Sequence, residues 1–172
     1  MKPPLLPSEA LKRVVRLARF DGMSLLVVSG GFALISASAS DKSGALIGLL
    51  IAGAGAIELH GVGLLRAGHN GMKWLISSQL CLMAMILIYA GLRIAHPDVS
   101  WIMPYVKGEA AEPILQAAQQ SGMTVEQLMV EGMSTLYVMV AAITVIYQGG
   151  MAVYYTRRRA AVEIALQEML PE

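Results

Sequence analysis

An acid inside an apolar run is the residue of this chain whose type and place most call for chemistry. Glu58 stands eight residues before Arg66 in a stretch of Gly, Ala, Leu and Ile, which is about 12 Å along a helix. A carboxylate at the centre of a membrane span costs about 2.5–3.5 kcal/mol on insertion scales, so such a residue faces protein or water and carries a partner, a proton or a cation. Two glutamines fall at matching depth: Gln79 is six residues from Lys73, and Gln148 is nine residues from Arg157. Their helical rises are about 9 and 13 Å. Ser77 and Ser78 flank Gln79, while Gln148 shares a face with Thr144, Tyr147 and Tyr155. These residues are expected to form one polar layer, joined by Asp21 and Ser24 from the preceding apolar run.

Two kinds of chemistry fit such a layer. Glu58, Gln79 and Gln148 can clasp three helices together, at about 0.6–2 kcal/mol per hydrogen bond. Alternatively, Glu58 holds a proton or a cation, as intramembrane acids generally do. Glutamine alone makes a clasp more cheaply than a carboxylate does, which favours the second reading. His60, two residues from Glu58, points about 200° away from it on a helix. It shares a stripe with Gly53 and Ala56 and is expected to contact another helix or a neighbouring subunit.

Much other chemistry is excluded. His60 is the only histidine well inside an apolar run, so a haem with two histidine ligands does not fit within one chain. Cys81 is the only cysteine, which rules out an intrachain disulfide and a cysteine-rich metal site. The 12 methionines are scattered through apolar runs, as suits adaptable packing rather than soft-metal binding. No phosphate-cradling loop, nucleophile elbow, zinc motif or pair of catalytic carboxylates occurs at the required spacing. We therefore expect no catalytic residue, metal or cofactor. A net charge of +1 gives no field for nucleic acid. The segment RAGHNGMKW reads as a tight turn, with Gly68, Asn70 and Gly71 supplying unusual backbone angles.

The elements that must position the polar layer follow from composition. At 56% hydrophobic and 15% charged, the chain is built for a bilayer rather than water. Four runs, at residues 23–39, 44–65, 72–95 and 136–155, suffice to cross a hydrocarbon core. The first imitates a secretory signal, with a basic lead and small residues at 36–40, but its lead is longer than usual and it is read as a retained helix. In the second run Gly44, Gly48, Ala52 and Ala56 repeat every four residues, a surface on which another helix can approach closely.

Residues 1–22 read as a basic amphipathic helix lying in the membrane interface, with Leu11, Val14, Val15, Leu17 and Ala18 as its apolar stripe. Residues 96–135 are expected to form a partly helical, extracytoplasmic segment. There Trp101, Pro104 and Tyr105 suit the boundary, PILQAAQQ suits a helix, and Thr124 with Gln127 forms a capping box. The fourth span is expected to continue at both ends as one helix, from Thr124 to about Met169 and including the tail at 156–172.

Ten Lys and Arg residues fall beside one set of helix ends and Lys42, Arg93 and Lys107 beside the other, from which both termini are expected in the cytoplasm, at the cell inner membrane if the source is bacterial. The expected fold is thus all-α: an integral membrane bundle of four transmembrane helices, with a basic amphipathic N-terminal helix and a long fourth helix extending beyond the bilayer. Its expected partners are the lipid bilayer and either further copies of itself or another membrane protein. The leading expectation is a homo-oligomeric channel or small transporter using Glu58. A non-catalytic accessory or scaffolding subunit comes next, and a membrane enzyme or redox subunit is the reading least supported.

Overall fold

The computed structural model describes residues 6–38, 42–100, 103, 106 and 111–169, and every regular element among them is helical. In chain order these are α1 (Pro7–Ser38), α2 (Lys42–Arg66), α3 (Met72–Ala95), α4 (Glu112–Ser121) and α5 (Val125–Met169). All but α4 are long and apolar enough to cross a membrane, so the protein is the expected membrane helix bundle. The helices fall into two compact units: Met1–Met85 with Val145–Glu172, and Ile86–Thr144.

In the first unit, α1 is one helix of 32 residues, where the sequence suggested an interfacial segment ending at residue 22 and a separate span. The single Gly22 costs a helix only about 1 kcal/mol relative to Ala, and here it serves a contact. A Cβ on Gly22 would stand 3.1 Å from the carbonyl oxygen of Gly55, and one on Gly55 would stand 2.8 Å from that of Gly22. Farther along the same seam, a Cβ on Gly48 would meet Ala33 and the Ser29 carbonyl at 2.9 Å. The two backbones therefore lie against each other, as small residues allow.

Three residues of the N-terminal apolar stripe belong to the core, with Val15 and Leu17 partly buried against it. Leu11, Val14 and Ala18 are buried with Val162, Ala165 and Leu166 of α5, Val62 and Leu65 of α2, and Met72 and Leu75 of α3. The two amphipathic ends of the chain cover each other.

The turn between α2 and α3 uses its three expected residues differently. Of its two glycines only Gly68 has a positive φ, at 79°. Asn70 caps α3, its Oδ1 accepting from the Met72 N–H at 3.1 Å. Gly71 is needed for closeness, because a Cβ there would overlap the Gly61 carbonyl oxygen. Asn70 Nδ2 also donates to Glu163 Oε1 at 2.9 Å, and Arg159 Nε donates to the same oxygen at 2.9 Å, tying the turn to the end of α5.

The second unit holds the rest of α3 and α5 with the segment between them. Asp98 Oδ1 accepts from the backbone N–H of Ser100 at 2.9 Å and from its hydroxyl at 2.6 Å, which holds this exposed carboxyl below its ordinary range. Helix α4 begins with Pro113 in its first turn and ends at Gly122, φ 69°. The N–H groups of Gly122 and Met123 then close on Gln119 and Ala118, the left-handed stop glycine favours. The expected capping box is present, with Thr124 N–H on Gln127 Oε1 at 2.9 Å and Gln127 N–H on Thr124 Oγ1 at 3.2 Å. From it α5 runs 45 residues, about 67 Å, as expected. Trp101, Pro104, Tyr105 and Lys107 lie outside the described residues.

The close approach at Gly71 sets a test. Gly71→Ala is expected to destabilise the protein by about 1–3 kcal/mol, as overpacking does, whereas Gly63→Ala, with open space around it, is expected to be neutral or slightly stabilising. Thermal unfolding of both variants in mild detergent reads the difference, and equal midpoints would contradict the Gly61–Gly71 contact.

Candidate functional site

Each acid of the site sits beside a close helix contact. Asp21 precedes Gly22, and Glu58 is one turn beyond Gly55, so the seam that joins α1 to α2 also brings the two carboxyls together. Helix α3 is held to the same place by Ser78, whose hydroxyl donates to the Ala54 carbonyl oxygen at 2.7 Å. Its neighbour Gln79 reaches both acids. Gln79 Nε2 stands 2.8 Å from Asp21 Oδ2 and 3.0 and 3.1 Å from the two oxygens of Glu58. Glu58 and Gln79 are 0% exposed and Asp21 is 7% exposed.

Helix α5 supplies two phenols. Tyr155, fully buried, donates to Glu58 Oε1 at 2.8 Å, and Tyr147 donates to Asp21 Oδ1 at 3.1 Å. Four helices thus converge on two carboxyls, and none of the hydrogen bonds or ion pairs described for either acid comes from Lys, Arg or His.

The donors are fewer than the acceptors they face. A primary amide nitrogen carries two hydrogens, yet three carboxyl oxygens lie within reach of Gln79 Nε2. The amide oxygen of Gln79 is buried without a hydrogen-bond partner, and so is that of Gln148, which lies two turns before Tyr155 on the same face of α5. The cluster is therefore rich in oxygen acceptors, the donor set that suits a proton or a hard monovalent cation. Among the described residues no group of three or more His, Cys, Asp or Glu could hold a metal ion.

Of the expected layer, the structure unites Asp21, Glu58, Gln79, Tyr147 and Tyr155. Ser78 serves the α2–α3 contact instead of the carboxyls. Thr144 is buried but belongs to the second unit, and none of the cluster's described hydrogen bonds involves it. His60 is exposed and meets Trp74 edge-on, with ring centroids 5.2 Å apart and planes at 88°. Of the four packing residues, Gly44, Gly48 and Ala52 are buried while Ala56 is exposed. A strict four-residue repeat drifts about 40° per step around a helix, so the contact passes to Ala54 and Gly55.

Asp21 was expected in the same layer as Glu58, but the direct pairing of the two acids on one amide nitrogen was not read from the sequence. Asp21 and Glu58 are far apart in sequence, and no motif spacing joins them. The available signal was that each lies within one turn of a glycine able to bring its helix close to another.

Comparison with protein-family models, with curated proteins and with solved structures gives no match for this chain.

Deleting single hydroxyls tests the geometry. Tyr155→Phe keeps the ring and removes the donor to Glu58, and is expected to cost about 1–3 kcal/mol. In a Glu58→Gln background the same change is expected to cost measurably less, because the two side chains act as one unit. Additive losses in a double-mutant cycle, followed by thermal unfolding, would contradict the Tyr155–Glu58 bond.

Proposed function

We propose that this protein binds a proton or a monovalent cation at the Asp21–Glu58 pair and passes it across the membrane, as a subunit of a homo-oligomeric channel or transporter. The observation that carries this reading is the meeting of two buried acids on one amide nitrogen, with no basic side chain among their described partners. Two negative charges held this closely in a poorly solvated site repel each other. One shared proton, or one bound cation, removes the repulsion, and the pair then takes up or releases that ion as a unit. A purely structural clasp gains nothing from the second carboxyl.

Depth and orientation agree with a passage. The excess of Lys and Arg on one side of the spans supports an orientation with both termini in the cytoplasm. The acids then lie in the inner half of the bilayer, in the cell inner membrane if the source is bacterial. Four helices leave little room for a path inside one copy, so the reading requires several. Leu136, Met139 and Ile143, on one face of α5, are all exposed and are available to a neighbouring copy.

The same bare face supports a second reading. An exposed apolar face on a long α5, at Leu136, Met139 and Ile143, is also what a non-catalytic accessory subunit presents to a different membrane protein. The native mass of the gently extracted complex separates the two.

Purified protein in liposomes, with proton and sodium movement followed by internal dyes under an imposed potential, tests the leading reading. Wild-type protein is expected to pass one of these ions, and Glu58→Gln is expected to reduce that flux at least roughly tenfold, about 1.4 kcal/mol in the barrier, while keeping the native mass. Unchanged flux in a Glu58→Gln protein of unchanged mass removes Glu58 from the mechanism. Absence of wild-type flux, with a second polypeptide in the extracted complex, moves the assignment to the accessory subunit.

A further inference from the structure

A groove of about 550 Å³ opens away from the carboxyl cluster, between the N-terminal half of α1 and the Arg66 end of α2. Its polar wall is Lys12, Arg16, Arg19 and Arg66, and its apolar wall includes Phe20 and Met23. Lys12, Arg16, Arg19, Met23 and Val27 follow one another at spacings of four, three, four and four residues, so they form a single stripe along α1. The stripe is cationic over its first two turns and apolar thereafter. Its cations are exposed. The only ion pair described is between Arg159 and Glu163, so none of the four groove cations has a carboxylate partner among the described residues.

We infer that this groove binds the headgroup phosphate of an anionic phospholipid, with an acyl chain lying along Phe20, Met23 and Val27. Charge complementarity is the first argument: three guanidinium groups and one ammonium line one groove with none of them in an ion pair among the described residues, and a guanidinium fork matches phosphate oxygens. The second is the direction of the stripe. Phe20 is 72% exposed and Val27 is 65% exposed, and they lie on the side of the cations that leads into the apolar part of α1, so head and tail of one lipid find matching surfaces in the right order. The third is the position of Arg19. It stands two residues from the buried Asp21, about 200° around the helix, and so faces away from the acid cluster at nearly the same depth. A cation there requires an anion or a snorkelling path to the interface, and a lipid phosphate provides both. A free phosphate ion would satisfy the cations but leave the apolar wall unused. The inference does not depend on the ion-passage reading.

Full-length protein, delipidated in a neutral detergent and titrated with phosphatidylglycerol or phosphatidylcholine, tests it by native mass spectrometry. Wild-type protein is expected to retain phosphatidylglycerol at a concentration roughly tenfold lower than phosphatidylcholine. Arg16→Gln with Arg19→Gln is expected to abolish that preference, while Arg157→Gln with Arg158→Gln, which removes the same charge from α5, is expected to keep it. Equal retention of the two lipids by wild-type protein overturns the inference. So does an equal loss of preference in both double variants, which would mark a diffuse charge effect. Millimolar inorganic phosphate is expected to leave bound phosphatidylglycerol in place; displacement by phosphate alone would assign the groove to the free ion.

Discussion

Two carboxyls kept from water, with no basic partner among the described residues, are the constraint around which the first unit is arranged. An unpaired acid in an apolar span costs several kcal/mol, and this chain holds two at one point. The cost is offset locally by Gln79, Tyr147 and Tyr155 as donors, and those donors reach the acids only because three helix backbones lie unusually close. Gly22 against Gly55, Gly48 against Ala33, and Gly71 against Gly61 are the contacts that allow it. Ser78, bonded to Ala54, fixes the rotation of α3 that turns Gln79 inward. The small residues and the polar residues are therefore parts of one device.

Helix α1 carries two chemistries on opposite sides. Its inward side brings Asp21 to the acid cluster and Leu11, Val14 and Ala18 to the core. Its outward stripe carries Lys12, Arg16 and Arg19. Because the helix is continuous through Gly22, the stripe and the acid are rigidly related, and a change of tilt in α1 moves both. The end of α5 closes the same region, through Val162, Ala165 and Leu166 and through the bonds among Glu163, Asn70 and Arg159.

Much of this was legible in the sequence, for identifiable reasons. The spans follow from length and hydropathy, which the bilayer makes nearly sufficient. The Thr124–Gln127 box and the glycine at residue 68 are local features whose geometry needs no tertiary context. Glu58 and Gln79 were recognisable as neighbours because depth along a span can be counted from the basic residues at its end. The remainder depended on helix rotation, which depth does not give. Whether Thr144 and Ser78 faced the acids, whether Ala56 stayed on the packed face, and which partner the N-terminal stripe chose were all decided by contacts between distant segments. The continuity of α1 was hidden because a basic, amphipathic stretch before an apolar one reads as two elements, and only the α5 tail that covers the first stretch makes them one.

The most direct test of the acid pair is infrared difference spectroscopy of the purified protein in lipid, reading the C=O stretch of protonated carboxyl groups while pH and sodium or potassium concentration are changed. The account predicts a protonated-carboxyl band that disappears in Glu58→Gln or Asp21→Asn, or, if a cation takes the proton's place, one that is lost on adding that cation. Spectra in which neither acid shows a protonated band at any such pH, and in which the carboxylate bands ignore added sodium and potassium, would contradict it and leave the cluster a structural clasp.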